Sequence, residues 1–137
     1  MKAGVDIKMK KNTTLLLSKN LANISNLVSV LKYSFPDLSI AYDELAIYEI
    51  ISKNKPDLIV IDAMSIQNAP ICVRFIKNHL NIIDCPIIII TEAENSEHGV
   101  ASLREGAVDY ISNNVCDEEF YLRICTHLND KLTIDSV

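Results

Sequence analysis

Two hydrophobic periodicities alternate from one end of this chain to the other, and that alternation restricts the fold more than any single residue does. Apolar runs of about five residues, the length of a buried strand, are separated by stretches whose apolar residues recur at helical spacing. The runs are Thr13–Leu17, Leu38–Tyr42, Leu58–Ile61, Pro86–Ile90 and Ala107–Ile111. Strands alternating with helices are the pattern of βαβ units, which predicts an α/β fold with a doubly wound parallel sheet of five strands.

The helices between the strands carry their own punctuation. Leu21, Ile24, Leu27, Val28 and Leu31 share one helical face, and Ser34-Phe35-Pro36-Asp37 ends that helix because a proline pushes the residue before it out of the helical region. Asp43 is placed to cap a second helix, with Leu45, Ala46, Ile50 and Ile51 expected to face inward. A polar loop over 63–68 leads to a third helix reaching about Leu80. A fourth is expected over 94–105, stopped by Gly106, and Asp117-Glu118-Glu119 puts negative charge in the first turn of the last one. Residues 1–12 read as a solvated leader, 13–130 as one domain, and 131–137 as a C-terminal tail or the start of a linker.

Composition removes several functions. With 137 residues, 49% hydrophobic and 23% charged, the chain suits one globular domain. Its net charge is −5, and the lysines crowd the start (Lys2, Lys8, Lys10, Lys11), so the folded body lacks the basic face that nucleic acid requires. The longest pure aliphatic run, Ile87–Ile90, is too short to cross a bilayer, and the first residues lack the apolar stretch of a secretory signal. A cytoplasmic location away from membranes is expected. Cys72, Cys85, Cys116 and Cys125 show no paired spacing and read as packing or surface residues, a zinc site being the alternative.

Open α/β sheets bind ligands beyond the carboxyl ends of their strands. The residues there are Ser18-Lys19-Asn20, Asp62, Thr91 and Ser112-Asn113-Asn114. A carboxylate at the end of the all-apolar run Leu58–Ile61 is the least ordinary of these placements.

From Thr13 to Asn129 the sequence resembles the receiver domain of two-component response regulators. Lys55-Pro56-Asp57-Leu58-Ile59-Val60-Ile61-Asp62 is similar to that family's third strand and its phospho-accepting aspartate. Ile87 to Thr91 resembles the fourth strand with its switch Thr or Ser, and Leu103-Arg104-Glu105-Gly106-Ala107-Val108-Asp109-Tyr110 the entry to strand five, with an aromatic switch position at Tyr110. The resemblance implies a flavodoxin-like (βα)5 fold with strand order 2-1-3-4-5.

The departures from the family pattern bear on function. A working receiver carries an acidic pair after its first strand that helps the aspartate hold Mg²⁺; here those positions read Ser18 and Lys19. The lysine expected after the fifth strand is replaced by Asn113. The Mg²⁺ site is therefore expected to be lost and no cofactor is expected. Asp62 reads as an inactive phospho-acceptor position or a loop-capping carboxylate, Thr91 as a switch or a β-branched strand end, and Tyr110 as a switch or a core aromatic. Lys19 is a candidate counter-charge for Asp62, the alternative being a solvent-facing lysine with loop amides satisfying the carboxylate.

These residues suggest a non-enzymatic signalling or adaptor module of a two-component phosphorelay, independent of phosphorylation, such as occurs within multi-domain regulators including diguanylate cyclases. It would contact a protein partner, or itself, through the face spanning roughly 94–129, with an output domain covalently attached. The alternatives are a receiver phosphorylated on Asp62 and a flavodoxin-like cofactor binder. The latter suffers from having no glycine after the first strand.

Overall fold

The computed structural model describes residues 13–79, 82, 84–92 and 96–136. The leader over 1–12, the expected helix end at Leu80 and the expected helix start at residue 94 lie outside them. Five strands, β1 (Thr13–Leu17), β2 (Asp37–Ala41), β3 (Leu58–Asp62), β4 (Ile87–Thr91) and β5 (Asp109–Ser112), form one parallel sheet in the order β2-β1-β3-β4-β5. Between and after them run α1 (Ser25–Ser34, entered through a 3-10 turn at Leu21–Ile24), α2 (Glu44–Lys53), α3 (Ala69–His79), α4 (Glu97–Arg104) and α5 (Asp117–Ser136).

Side chains of a strand alternate between faces, so an all-apolar strand supplies two cores. Leu15, Leu17, Ile59, Ile61, Ile87 and Ile89 pack on one face with Ile47 and Ile51 of α2 and Cys72, Val73 and Ile76 of α3. Leu16, Leu58, Val60, Ile88, Ile90 and Ile111 pack on the other with Leu27, Val28 and Leu31 of α1 and Phe120, Ile124 and Leu128 of α5. The central strands β3 and β4 are buried along their whole length, and they carry Asp62 and Thr91 to the same edge of the sheet.

Local chemistry sets the element ends. Asp43 caps α2 by accepting a hydrogen bond from the Ala46 amide at 2.9 Å, and Ser96 caps α4 by accepting one from Gly99 at 3.1 Å. Gly106 takes φ 121°, a left-handed conformation that suits glycine and turns the chain from α4 towards β5. β2 and β5 sit one and two residues away from the expected runs, and α5 continues over 131–136, which the sequence reading sets apart as tail or linker.

One inward position is corrected. Leu45 is 80% exposed, whereas Ile47 is buried. Two residues of helix turn a side chain through about 200°, so once Ile47 and Ile51 face the sheet Leu45 points away from it. No helix among the described residues is long and apolar enough to cross a membrane.

Candidate functional site

Asp62 ends β3 at the carboxyl edge of the sheet, and its side chain is 0% exposed. Removing a carboxylate from water is costly unless donors replace the water. Two loops supply them. From the β1–α1 loop the Ser18 hydroxyl donates to Asp62 Oδ2 at 2.8 Å. From the loop after β3 the Ser65 hydroxyl donates to the same oxygen at 2.9 Å, and the Met64 amide donates to Oδ1 at 3.0 Å.

Each hydroxyl is itself held by a backbone amide of the first loop. Lys19 N–H donates to Ser65 Oγ at 2.9 Å, and Asn20 N–H donates to Ser18 Oγ at 3.1 Å. The result is two short chains, amide to hydroxyl to carboxylate, that converge on Oδ2. A hydroxyl that accepts a hydrogen bond donates a stronger one, so each chain reinforces its last link. The Ser65 and Ile66 amides also close on the Asp62 carbonyl, at 3.2 and 2.9 Å, which fixes the turn that brings Ser65 back over the carboxylate.

The other sequence-derived positions fall around this clamp. Thr91 is buried at the end of β4 and lies beside Ser112 in register, and its carbonyl accepts the Asn113 amide at 2.8 Å. Asn113 Oδ1 is buried, and no described residue donates to it. Ser18, Asp62, Thr91 and Asn113 therefore share the carboxyl edge. Tyr110 does not join them: it pairs in register with Ile89, two residues before Thr91, and its partly buried ring packs on the α2–α3 side of the core and against Gly99 of α4.

The counter-charge expected at Lys19 is not formed. Its side chain is exposed, it makes no ion pair among the described residues, and only its backbone amide enters the site. The geometry is that of the alternative reading, with donors from the loops satisfying Asp62; because dipoles already surround the carboxylate, a desolvated ammonium has no role there. The arrangement does not fit a hard divalent cation either. Among the described residues Asp62 is its sole carboxylate and no three His, Cys, Asp or Glu converge, and both hydroxyls aim their hydrogens at Oδ2.

Sequence reasoning passed over Ser65. The available signal was a hydroxyl three residues after a strand-ending aspartate, a spacing at which a side chain can bend back onto the preceding turn.

A second polar cluster joins β5 to α5. Arg123 donates to Asp109 from Nη2 at 2.8 Å and Nε at 3.2 Å, and to Glu119 at 3.3 Å; His127 lies 3.1 Å from Asp109. Partial burial acts to lower the Arg123 pKa, but the hydrogen bonds and charges of Asp109 and Glu119 outweigh it and leave the guanidinium above its ordinary value.

The five-stranded sheet, its order and the carboxylate at the end of β3 define the receiver fold. Solved receiver domains superpose on the chain accordingly. That of an HD domain-containing protein from Pseudomonas fluorescens matches with TM-score 0.78 and 18% identity over 93% of both chains. The receiver domain of NtrX from Brucella abortus matches with TM-score 0.72 and 19% identity, over 85% of this chain and 98% of that one. In sequence the chain is 24% identical over 118 residues to the response regulator PleD of Caulobacter vibrioides, which covers 85% of this chain and 26% of PleD. No protein-family model matches. The fold is that of solved receiver domains, and in sequence the chain is similar to the response regulator PleD.

Proposed function

We propose that this receiver domain signals through protein contact, without phosphorylation of Asp62 and without Mg²⁺, as an adaptor attached to an output domain. The observation that carries the reading is the clamp on Asp62. Phosphoryl transfer to a carboxylate needs an oxygen open to in-line approach and cations to neutralise the phosphoryl oxygens. Here Oδ2 accepts two hydroxyls, Oδ1 accepts an amide, and the side chain is closed to solvent. The residues that replace the family's charged groups, Ser18 and Asn113, carry no charge, and the Lys19 side chain stays outside.

The contact surface for a partner is the face built from α4, β5 and α5. On its β5–α5 side a groove of about 790 Å³ opens, lined among others by Tyr110, Ser112, Val115, Cys116 and Arg123. Its mixture of apolar and hydrogen-bonding groups suits a protein partner. Attachment to an output domain is supported by the chain spanning about a quarter of the curated relative's length, 26%.

Incubation with acetyl phosphate and Mg²⁺, followed by intact-mass measurement, is expected to show no phosphoryl increment. An increment that disappears in Asp62→Asn would overturn the reading and make the domain a phosphorylated receiver.

A further inference from the structure

Helices α1 and α5 pack on the same face of the sheet, and a groove of about 560 Å³ lies between them. It is lined chiefly by Val30, Tyr33 and Ser34 of α1 and by Asp117, Glu118 and Tyr121 of α5, with no lysine or arginine among its described lining residues. Tyr33 is 91% exposed, more than any other large apolar side chain among the described residues. Asp117 and Glu118 make no ion pair among those residues either. Exposed aromatic surface and unpaired negative charge therefore coincide here. The start of the chain carries the complementary chemistry. In Val5-Asp6-Ile7-Lys8-Met9-Lys10-Lys11 apolar and charged residues alternate, so an extended segment would put Val5, Ile7 and Met9 on one side and Lys8 and Lys10 on the other. Lys2, Lys8, Lys10 and Lys11 are four of the chain's 13 lysines and arginines.

We infer that the segment over residues 5–11 docks in the α1–α5 groove of its own chain, its apolar side against Val30, Tyr33 and Tyr121 and its lysines at the rim with Asp117 and Glu118. The point of attachment permits this. The segment leads into β1 at Thr13, which pairs in register with Asp37, and Ser34 at the groove is three residues before Asp37. One strand spacing of about 4.8 Å and three residues of at most about 3.6 Å place Ser34 within about 16 Å of Thr13. Roughly five residues of extended chain cover that bound, so residues 5–9 have the length to lie along the groove. Lysine stems lie on apolar surface while their ammonium groups stay in water, so solvated lysines and a seated apolar side are compatible. Attachment through β1 makes the contact intramolecular, and a weak contact suffices at the effective concentration a short tether gives. A partner for the α1–α5 face would have to displace the segment, whereas the α4–β5–α5 face stays open. The docking does not depend on the state of Asp62.

The test is NMR of the isotope-labelled full chain with a nitroxide on Cys116, which is exposed and directly precedes Asp117, and with Cys125→Ser to keep the label at one place. Paramagnetic broadening of the amides of residues 5–9 is expected. Tyr33→Glu should remove most of it. Asp117→Lys/Glu118→Lys and, separately, Lys8→Glu/Lys10→Glu/Lys11→Glu should each reduce it by roughly threefold or more, and the five substitutions together should bring it back to within roughly twofold of the parent. Should Asp117→Lys/Glu118→Lys fail to fold, because it puts positive charge in the first turn of α5, Tyr33→Glu and the lysine substitutions decide. Broadening that is the same in the parent and in Tyr33→Glu, or a charge exchange that fails to restore it, would overturn the inference. So would broadening in a mixture of isotope-labelled chains without nitroxide and nitroxide-bearing chains without isotope, since the groove would then take the segment of another copy.

Discussion

Replacing Ser18 by alanine removes one of the three donors on Asp62 and leaves everything else in place. Both residues are fully buried, and the lost bond is a 2.8 Å hydroxyl–carboxylate contact. A hydrogen bond to a charged group contributes about 1.5–3 kcal/mol. The Asn20 amide also loses its acceptor, but Asn20 is exposed and water replaces Ser18 there at little cost. The net loss should be about 2 kcal/mol, a melting temperature lower by roughly 6–8 °C for a domain of this length. Urea unfolding followed by circular dichroism, with an unchanged m-value, gives the free energy directly. In Ser18→Ala/Ser65→Ala the amide on Oδ1 is the last donor, so the double variant should cost more than the sum of the singles. Stability of Ser18→Ala within about 0.5 kcal/mol of the parent would refute the clamp as the means by which the buried carboxylate is satisfied.

Four further outcomes are expected. Mg²⁺ at about 10 mM should leave the melting temperature unmoved, because a site with one carboxylate binds too weakly to shift it; a saturable rise would contradict this. Burial, with the Glu44 charge adding to it, pushes the Cys72 thiol up to about 12. The folded state then holds that proton more tightly than the unfolded chain, so stability is full below about pH 9 and falls between about 9 and 12, a decline that Cys72→Ala should flatten and that urea midpoints against pH would follow. At pH 8 a thiol reagent should label exposed Cys116 ahead of buried Cys72 and Cys85. A Cβ at Gly99 would overlap Tyr110 Cγ and Cδ1, so Gly99→Ala should move the Tyr110 ring and change the near-ultraviolet dichroism despite alanine's better helix propensity.

The sheet was legible because β3 and β4 are apolar at every position but the last, a pattern that a strand covered on both faces shares with few alternatives. Asp62 was legible for the same reason, as the carboxylate interrupting such a run. The phase of α2 was not. Leu45, Ala46, Ile47, Ile50 and Ile51 leave two rotations of the helix nearly equal in apolar content, and only packing against β1 and β3 selects Ile47 and Ile51. Ser65 and the outward course of Lys19 were hidden because both depend on how two loops 44 or more residues apart close over Asp62. Residue type alone favoured the lysine as the partner of a carboxylate. The geometry instead favours small hydroxyls, which fit against a side chain with no room for a solvated ammonium.

The clamp also bears on what the domain can transmit. A site built from several carboxylates accumulates negative charge that a divalent cation must relieve, and its loops then depend on what is bound. With serine at position 18 that excess is absent, and one buried charge is met by dipoles from two loops of the same chain. The β1–α1 loop and the loop after β3 are tied together through Asp62 with no ligand needed. A ligand shifts an equilibrium only by its differential affinity for the two states, so a site with no affinity for metal or phosphoryl donors exerts no such shift. On this reading the domain presents one arrangement of its outer surfaces at all times, and whatever varies in its signalling must come from which partner those surfaces meet.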